Sequence, residues 1–91
     1  MAEYHAVIRL LTQSSSLGIY RIIVYLDSQL VVYQLNRIYA IRNPILLRLH
    51  LQVLRLERMF NSIEYRHIPR ELNSVSDSLA NYIMDRYLAH I

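Results

Sequence analysis

Residues 20–31 are YRIIVYLDSQLV, and this stretch determines the fold class of the chain. Its first part, Tyr20–Leu26, is rich in β-branched and aromatic residues and is apolar on both faces. Such a run predicts a strand buried on both sides, in a sheet that is covered by helices. Asp27 and Ser28 follow directly and can cap a helix that extends to about Tyr39. The stretch therefore predicts a strand followed at once by a helix, as in a layered α/β domain.

Four further segments with regular apolar spacing surround this stretch. They are a helix at Ala2–Leu17, a helix at Asn43–Phe60, a strand at Ser62–Ile68 and a helix at Ser74–His90. The order α-β-α-α-β-α predicts an α/β fold with two parallel strands and four helices, in one domain over residues 1–91. Because two strands make a poor sheet, we expect strands to be missing, which leaves one edge of the first strand bare.

Helical spacing also indicates which side chains share a face. In the helix after Ser28, the residues expected to point inward are Val31, Leu35 and Ile38. In the helix that begins at Asn43-Pro44, one face carries Leu47, Leu51 and Leu54.

The composition excludes several classes of protein. Hydrophobic residues make up 54% of the 91 residues and charged residues 19%, which is too apolar for a disordered chain. No cysteine is present, so disulfides and zinc–thiolate sites are excluded. Three arginines interrupt the most apolar region, Ile41–Leu56, and no membrane span is expected. No basic stretch followed by an apolar run opens the sequence, so we expect no signal peptide and a location in the nucleus or cytoplasm.

All ten basic residues are arginines, and the formal net charge is +3. Arginine binds phosphates through two hydrogen bonds and stacks on bases, so this composition favours a nucleic-acid partner. A compositional bias that leaves the arginines solvated explains the same counts, and charge alone does not decide between the two.

Three carboxylates stand at or near the starts of predicted elements. Glu3 lies on the helical face of Val7 and Leu10, Asp27 follows the first strand, and Asp77 opens the last helix. Each has a purely structural explanation, because acids favour helix N-termini and Asp27 can be an N-cap. If all three converge, a hard cation such as Mg²⁺ is needed to offset their repulsion.

The motifs around these acids resemble those of ribonuclease H, and most closely the reverse transcriptase-like type found in plant genomes and retroelements. They are Ala2-Glu3-Tyr4, Tyr25-Leu26-Asp27-Ser28-Gln29-Leu30-Val31, His67-Ile68-Pro69-Arg70-Glu71-Leu72-Asn73 and Asp77-Ser78-Leu79-Ala80-Asn81. Their order and spacing match the family from about Glu3 to Met84, nearly the whole chain.

The resemblance implies a reaction and its residues. The family hydrolyses the RNA strand of RNA–DNA hybrids with two Mg²⁺ or Mn²⁺ ions held by four acids. Glu3, Asp27 and Asp77 match the second, third and fourth acids. His67 matches the histidine that assists proton transfer or product release.

Other positions are expected to contact the nucleic acid. Gln29 matches a family position that touches the hybrid, and Asn73 matches a loop position of the motif. Ser28 is expected beside Gln29 at the same contact. Arg66 and Arg70 flank the expected site and are candidates for phosphate contact, although both are equally well explained as solvated arginines.

The sequence departs from the family at its start. The family domain begins with three antiparallel strands, and the first carries an aspartate that bridges both metals. We expect this chain to be an N-terminally truncated domain that holds a metal weakly and has impaired activity. Two alternatives stay open: a non-catalytic relic or nucleic-acid-binding module, and a helical interaction protein whose acids are only caps. We also expect a second copy or a partner chain to cover the bare strand edge.

Overall fold

The computed structural model describes residues 2–69 and 87–90. Within these ranges the chain forms three helices and three strands. In chain order they are α1 (Ala2–Ser16), β1 (Arg21–Leu26), α2 (Gln29–Leu35), α3 (Pro44–Glu57), β2 (Ser62–His67) and β3 (Tyr87–His90).

The strand β1 lies in the middle of the sheet, whose order is β2-β1-β3. It pairs in parallel with β2 in a register that runs from Arg21 opposite Ser62 to Leu26 opposite His67. Three consecutive residues, Ile22–Val24, are buried, so both faces of β1 are covered. The predicted α/β class and the parallel pairing of the two predicted strands are confirmed.

The other edge of β1 is not bare, so that prediction is wrong. Residues Ile22–Tyr25 pair in parallel with Tyr87–His90, which was expected to be the end of a helix. A buried strand with one unpaired edge leaves backbone N–H and C=O groups without partners, and pairing with β3 satisfies them. This tertiary requirement outweighs the helical spacing at the end of the chain. The rest of the predicted helix, from Ser74, lies outside the described residues.

The helix α1 packs against α3 and contributes Tyr4, Val7 and Leu11, each with no exposed surface, to the core. It ends where predicted, because Gly18 adopts a φ of 80° and Ile19 N–H donates to the Ser14 carbonyl at 3.0 Å. Among residues 2–69, the other buried side chains of the core are Ile22, Val24, Leu26, Val31, Val32, Leu35, Leu49, Val53, Phe60 and Tyr65.

The helix α2 is shorter than predicted. It ends at Leu35 rather than about Tyr39, and Ile38, expected inward, is 62% exposed. The cause is Arg37, a non-glycine residue with a φ of 63°, which turns the chain out of the helix. The adjoining Ile38 N–H closes the helix end on the Tyr33 carbonyl at 2.8 Å.

The helix α3 buries Leu49, His50 and Val53. The leucine face identified from the sequence, Leu47 with Leu51 and Leu54, therefore lies away from the core. Within the described part of the chain, no helix is long and apolar enough to cross a membrane.

Candidate active site

The carboxyl ends of β1 and β2 lie side by side, and this edge carries two of the predicted site residues. Leu26 is opposite His67, and the N–H of Ile68 donates to the Leu26 carbonyl at 2.9 Å. Asp27 follows Leu26 directly, so its backbone stands beside the end of β2. Asp27 is partly buried and His67 is exposed. The fold thus brings the acid and the histidine to one edge of the sheet, as parallel pairing requires.

Ser28, not Asp27, caps α2. The Ser28 Oγ accepts a hydrogen bond from the Val31 N–H at 3.3 Å, and Ser28 has the extended backbone of an N-cap residue. The structural explanation that Asp27 is the N-cap is therefore wrong. The capping bond also holds the Ser28 hydroxyl at the helix end, where its proton can still be donated to a ligand.

Glu3 lies in the first turn of α1 and is partly buried. Its neighbour Tyr4 fixes that end of the helix, because the Tyr4 hydroxyl donates to Gln34 Oε1 on α2 at 3.0 Å. Burial raises the pKa of the Tyr4 hydroxyl to about 12, so it stays protonated and keeps this bond. The bond ties the start of α1 to the helix that follows Asp27.

The described residues do not by themselves form a metal cage. Within residues 2–69 and 87–90 no three His, Asp or Glu side chains are placed to hold an ion together. Asp77, the third predicted ligand, lies outside the described residues, as do Arg70 and Asn73. Convergence of the three acids therefore stays a prediction.

Two of the residues predicted to contact nucleic acid, Gln29 and Arg66, are exposed, and each is bonded to another side chain of the same chain. Gln29 Nε2 donates to the Tyr33 hydroxyl at 2.7 Å within α2. Arg66 forms an ion pair with Glu64 on β2, with 2.6 Å between Arg66 Nη2 and Glu64 Oε2. The hydrogen bond and the charge of Glu64 raise the pKa of Arg66 still further. A phosphate must compete with Glu64 for this guanidinium.

A polar cluster at the far end of α3 was not predicted from the sequence. Glu57 accepts hydrogen bonds from the Tyr65 hydroxyl at 2.7 Å and from Arg37 at 2.9 Å. His50 is 9% exposed, and its buried Nδ1 has no hydrogen-bond partner. The only available signal was the position of His50 and Glu57 on the core-facing side of an otherwise leucine-rich helix.

Comparison with known proteins identifies the fold. Residues 1–83 match the family model described as reverse transcriptase-like. This chain belongs to that ribonuclease H-like family.

The relatives of this ribonuclease H-like chain include one mycobacterial protein and one archaeal protein. It is 38% identical over 85 residues to the bifunctional protein Rv2228c of Mycobacterium tuberculosis, covering 93% of the chain and 23% of that protein. It is 34% identical over 84 residues to ribonuclease HI of Halobacterium salinarum, covering 92% of the chain and 42% of that protein. The chain thus spans less than half the length of these curated relatives.

Solved structures of ribonucleases H superpose on this chain and support the same family. The N-terminal RNase H domain of Rv2228c superposes with a TM-score of 0.77 at 38% identity, over 92% of this chain and 64% of that one. RNase H1 of Halobacterium salinarum gives a TM-score of 0.76 at 35% identity, with 88% and 61% covered. LC11-RNase H1, solved in complex with an RNA/DNA hybrid, gives 0.73 at 29% identity, with 92% and 64% covered. The family resemblance and the partial match to the family domain are confirmed.

Proposed function

We propose that this ribonuclease H-like chain is one domain that binds RNA–DNA hybrids and supplies part of a site that hydrolyses the RNA strand. The observation that carries the proposal is the register of β1 and β2, which sets Asp27 beside the end of the strand that carries His67. Ligands of open α/β sheets bind beyond the carboxyl ends of parallel strands, which is this edge. The solved relative with a bound hybrid supports the choice of ligand.

In this proposal Glu3, Asp27 and Asp77 are the ligands of Mg²⁺ or Mn²⁺. Carboxylate oxygens are the donors that such hard cations prefer, and bound ions activate water and stabilise the leaving oxygen in phosphodiester hydrolysis. The described residues do not by themselves complete this donor set. His67 is exposed at the rim, where it can carry a proton to or from solvent.

The hybrid is proposed to lie across the same edge. The candidate contacts are Ser28, Gln29, Arg66, Arg70 and Asn73. Ser28 and Gln29 present a hydroxyl and an amide at the start of α2, directly after Asp27. Discrimination of a hybrid from a DNA duplex depends on groove shape and the RNA 2′-hydroxyls rather than on a base code.

We further propose that these 91 residues alone cleave slowly. They span 61% to 64% of the solved relatives, and the described part gathers no three metal ligands. Misplacement of reacting groups by about 1 Å costs roughly a hundredfold in rate, and loss of a ligand costs more. The alternative function, a module that binds nucleic acid without cleaving it, rests on the same partial coverage.

The test is hydrolysis of a labelled RNA–DNA hybrid in Mg²⁺ or Mn²⁺ by the chain alone and with a peptide that carries the family's first three strands. We expect slow cleavage or none by the chain alone and faster cleavage with the peptide. Asp27→Asn should abolish the cleavage. Glu57→Gln is the matched control, because it makes the same change in a carboxylate that is bound to Arg37 and Tyr65.

Two results would contradict these proposals. Rapid Mg²⁺-dependent cleavage by the chain alone, abolished by Asp27→Asn, would show that the 91 residues are sufficient. Failure to bind the hybrid under all conditions would overturn the assigned ligand. Binding without cleavage, even with the added strands, would support the binding module.

A further inference from the structure

The helix α3 carries two apolar faces, and only one of them is used by the core. Leu49 and Val53 are buried inward. On the adjoining side Leu47 is 41% exposed and Leu51 is 47% exposed, and Leu54 is only partly buried. We call these three leucines the outer stripe. Their spacing of four and then three residues places them in one row along the helix.

The outer stripe continues into a cleft beside α3. The cleft measures about 230 Å³, and its lining includes the apolar Leu47, Tyr39 and Ile41 together with Arg37 and His50. Tyr39 is 49% exposed, and the adjoining Ile38 is 62% exposed. An exposed apolar surface that runs from a helix into a cleft is typical of a site that receives another protein segment.

The flank of the outer stripe is positively charged. Arg48, Arg55 and Arg58 are exposed beside or at the end of the three leucines. Glu57, the acid of this helix, is turned to the other side and is bound by Arg37 and Tyr65. The stripe is therefore an apolar row with a basic border, and it complements an apolar row with an acidic border.

A second copy of the chain does not supply that complement. If two α3 helices paired in antiparallel fashion along the stripe, Arg48 and Arg55 of one copy would face the same arginines of the other. In parallel pairing they would face the flank of His50 and Glu57, which is buried or already bound within its own chain. Neither arrangement provides an opposite charge.

We propose that the outer stripe of α3 binds an amphipathic helix of a partner protein, whose apolar row is bordered by Asp and Glu residues. The leucines supply the buried contact, the arginines orient the partner and the cleft receives one of its apolar side chains. Nucleic acid is a poorer occupant, because phosphates pair with the arginines but leave the leucines exposed to water. This surface is independent of the proposed nuclease function.

The test uses a synthetic peptide as the probe. Because α3 is about 21 Å long, a helix of about 18 residues is sufficient. The probe has leucines in a heptad row bordered by glutamates, and two control peptides carry lysines at the border or a scrambled order. Binding to the full 91-residue chain is measured by fluorescence anisotropy. We expect binding of the glutamate peptide and roughly tenfold weaker binding of both controls.

Variants identify the surface. Leu51→Glu should weaken binding roughly tenfold or more, as expected for a central apolar anchor. Leu17→Glu is the matched control, because Leu17 is 78% exposed but lies at the end of α1. The double change R48E and R55E should exchange the preference from the glutamate to the lysine peptide. A merely destabilised chain cannot produce such an exchange.

Several outcomes would overturn the proposal. They are equal binding of ordered and scrambled peptides, binding unaffected by Leu51→Glu, self-association abolished by Leu51→Glu, and binding of α3 to anionic vesicles in place of the peptide. Loss of hybrid binding has no bearing on this surface, so the two proposals fail separately.

Discussion

At the residue scale, Glu57 connects α3 to β2 and to the turn that follows α2. It ends α3 and accepts bonds from Tyr65 on β2 and from Arg37 after α2. Tyr65 is 6% exposed, and its burial, with the charge of Glu57 beside it, raises the pKa of its hydroxyl. The Tyr65 hydroxyl therefore stays protonated and remains a donor. Without Glu57 this buried donor has no acceptor in the cluster.

We predict that Glu57→Ala lowers the free energy of unfolding by about 1–3 kcal/mol, the cost of an unsatisfied buried polar group. Tyr65→Phe should cost less, because it removes the donor and leaves Glu57 bound to Arg37. Glu64→Ala is the control, since its ion pair with Arg66 is exposed and such pairs contribute little. Urea unfolding of the variants measures the three values. A cost for Tyr65→Phe equal to that of Glu57→Ala would contradict this account.

His50 predicts a pH dependence. Burial and the nearby charge of Arg37 lower the pKa of His50 below 6.5, and Glu57 opposes them in part. The unfolded chain therefore binds this proton more readily than the folded chain. His50 therefore leaves the fold at its full stability above about pH 6.5 and makes it less stable as the pH drops toward the lower folded pKa.

We expect His50→Leu to reduce the loss of stability between about pH 8 and about pH 5, the range in which histidines titrate. At the higher pH the variant should be as stable as the natural chain or more so, because a buried nitrogen without a partner is removed. Urea unfolding at both pH values checks this, with the exposed His5→Leu as control. If His5→Leu reduced the loss equally, His50 would not be its source.

Single residues also show which features of the candidate site could be predicted from the sequence. It placed both Asp27 and Ser28 at the end of β1, but either can cap a helix. The choice depends on which side chain reaches the N–H of Val31, and this is a matter of backbone geometry. The placement of Asp27 beside the end of β2 could be predicted, because parallel strands end at one edge. Its distance to Asp77 depends on packing that local patterns do not contain.

At the element scale, the two caps differ in strength. Asn43 Oδ1 accepts from the N–H groups of both Ile45 and Leu46, at 2.9 and 3.1 Å. Ser28 Oγ accepts from one N–H, that of Val31, at 3.3 Å. A cap that satisfies two donors of a longer helix should contribute more.

We predict that Asn43→Ala costs about 1–2 kcal/mol and that Ser28→Ala costs about half as much. Asn43→Asp should retain most of the stability, because a carboxylate accepts the same two bonds near the positive end of the helix. Urea unfolding of the three variants provides the comparison. The opposite order for the two alanine variants would show that α2 depends on its cap more than α3 does.

The faces of the helices were harder to predict than their existence. The Asn43-Pro44 pair indicated the start of α3 correctly. Leucines occur all round this helix, so periodicity alone did not distinguish the row with Leu49 and Val53 from the outer stripe. The early end of α2 could not be predicted from the sequence either, because an arginine with a positive φ has no sequence signature.

At the scale of the whole molecule, the sheet depends on which segment completes β1. The strand–helix order correctly predicted an α/β fold with β1 and β2 parallel. It did not predict β3, because a stretch of four residues carries too little pattern to compete with helical spacing. Pairing with β1 is a long-range gain that only the folded chain reveals. The central position of β1 therefore rests on two segments that follow it at different distances along the chain, Ser62–His67 and Tyr87–His90.

We predict that disrupting β3 loosens β1 specifically. Leu88 is opposite Ile23, and Leu88→Pro removes a backbone N–H and restricts the strand at that point. Amide exchange in Ile22–Tyr25 should become faster, and the free energy of unfolding should fall by about 1 kcal/mol or more. Leu88→Val is the matched control, because valine suits a strand and retains the N–H. Exchange in β1 that is the same in both variants would show that β3 contributes nothing to its protection. Equally faster exchange across β2 and α3 would contradict a specific effect and show that β1 opens only together with the rest of the fold.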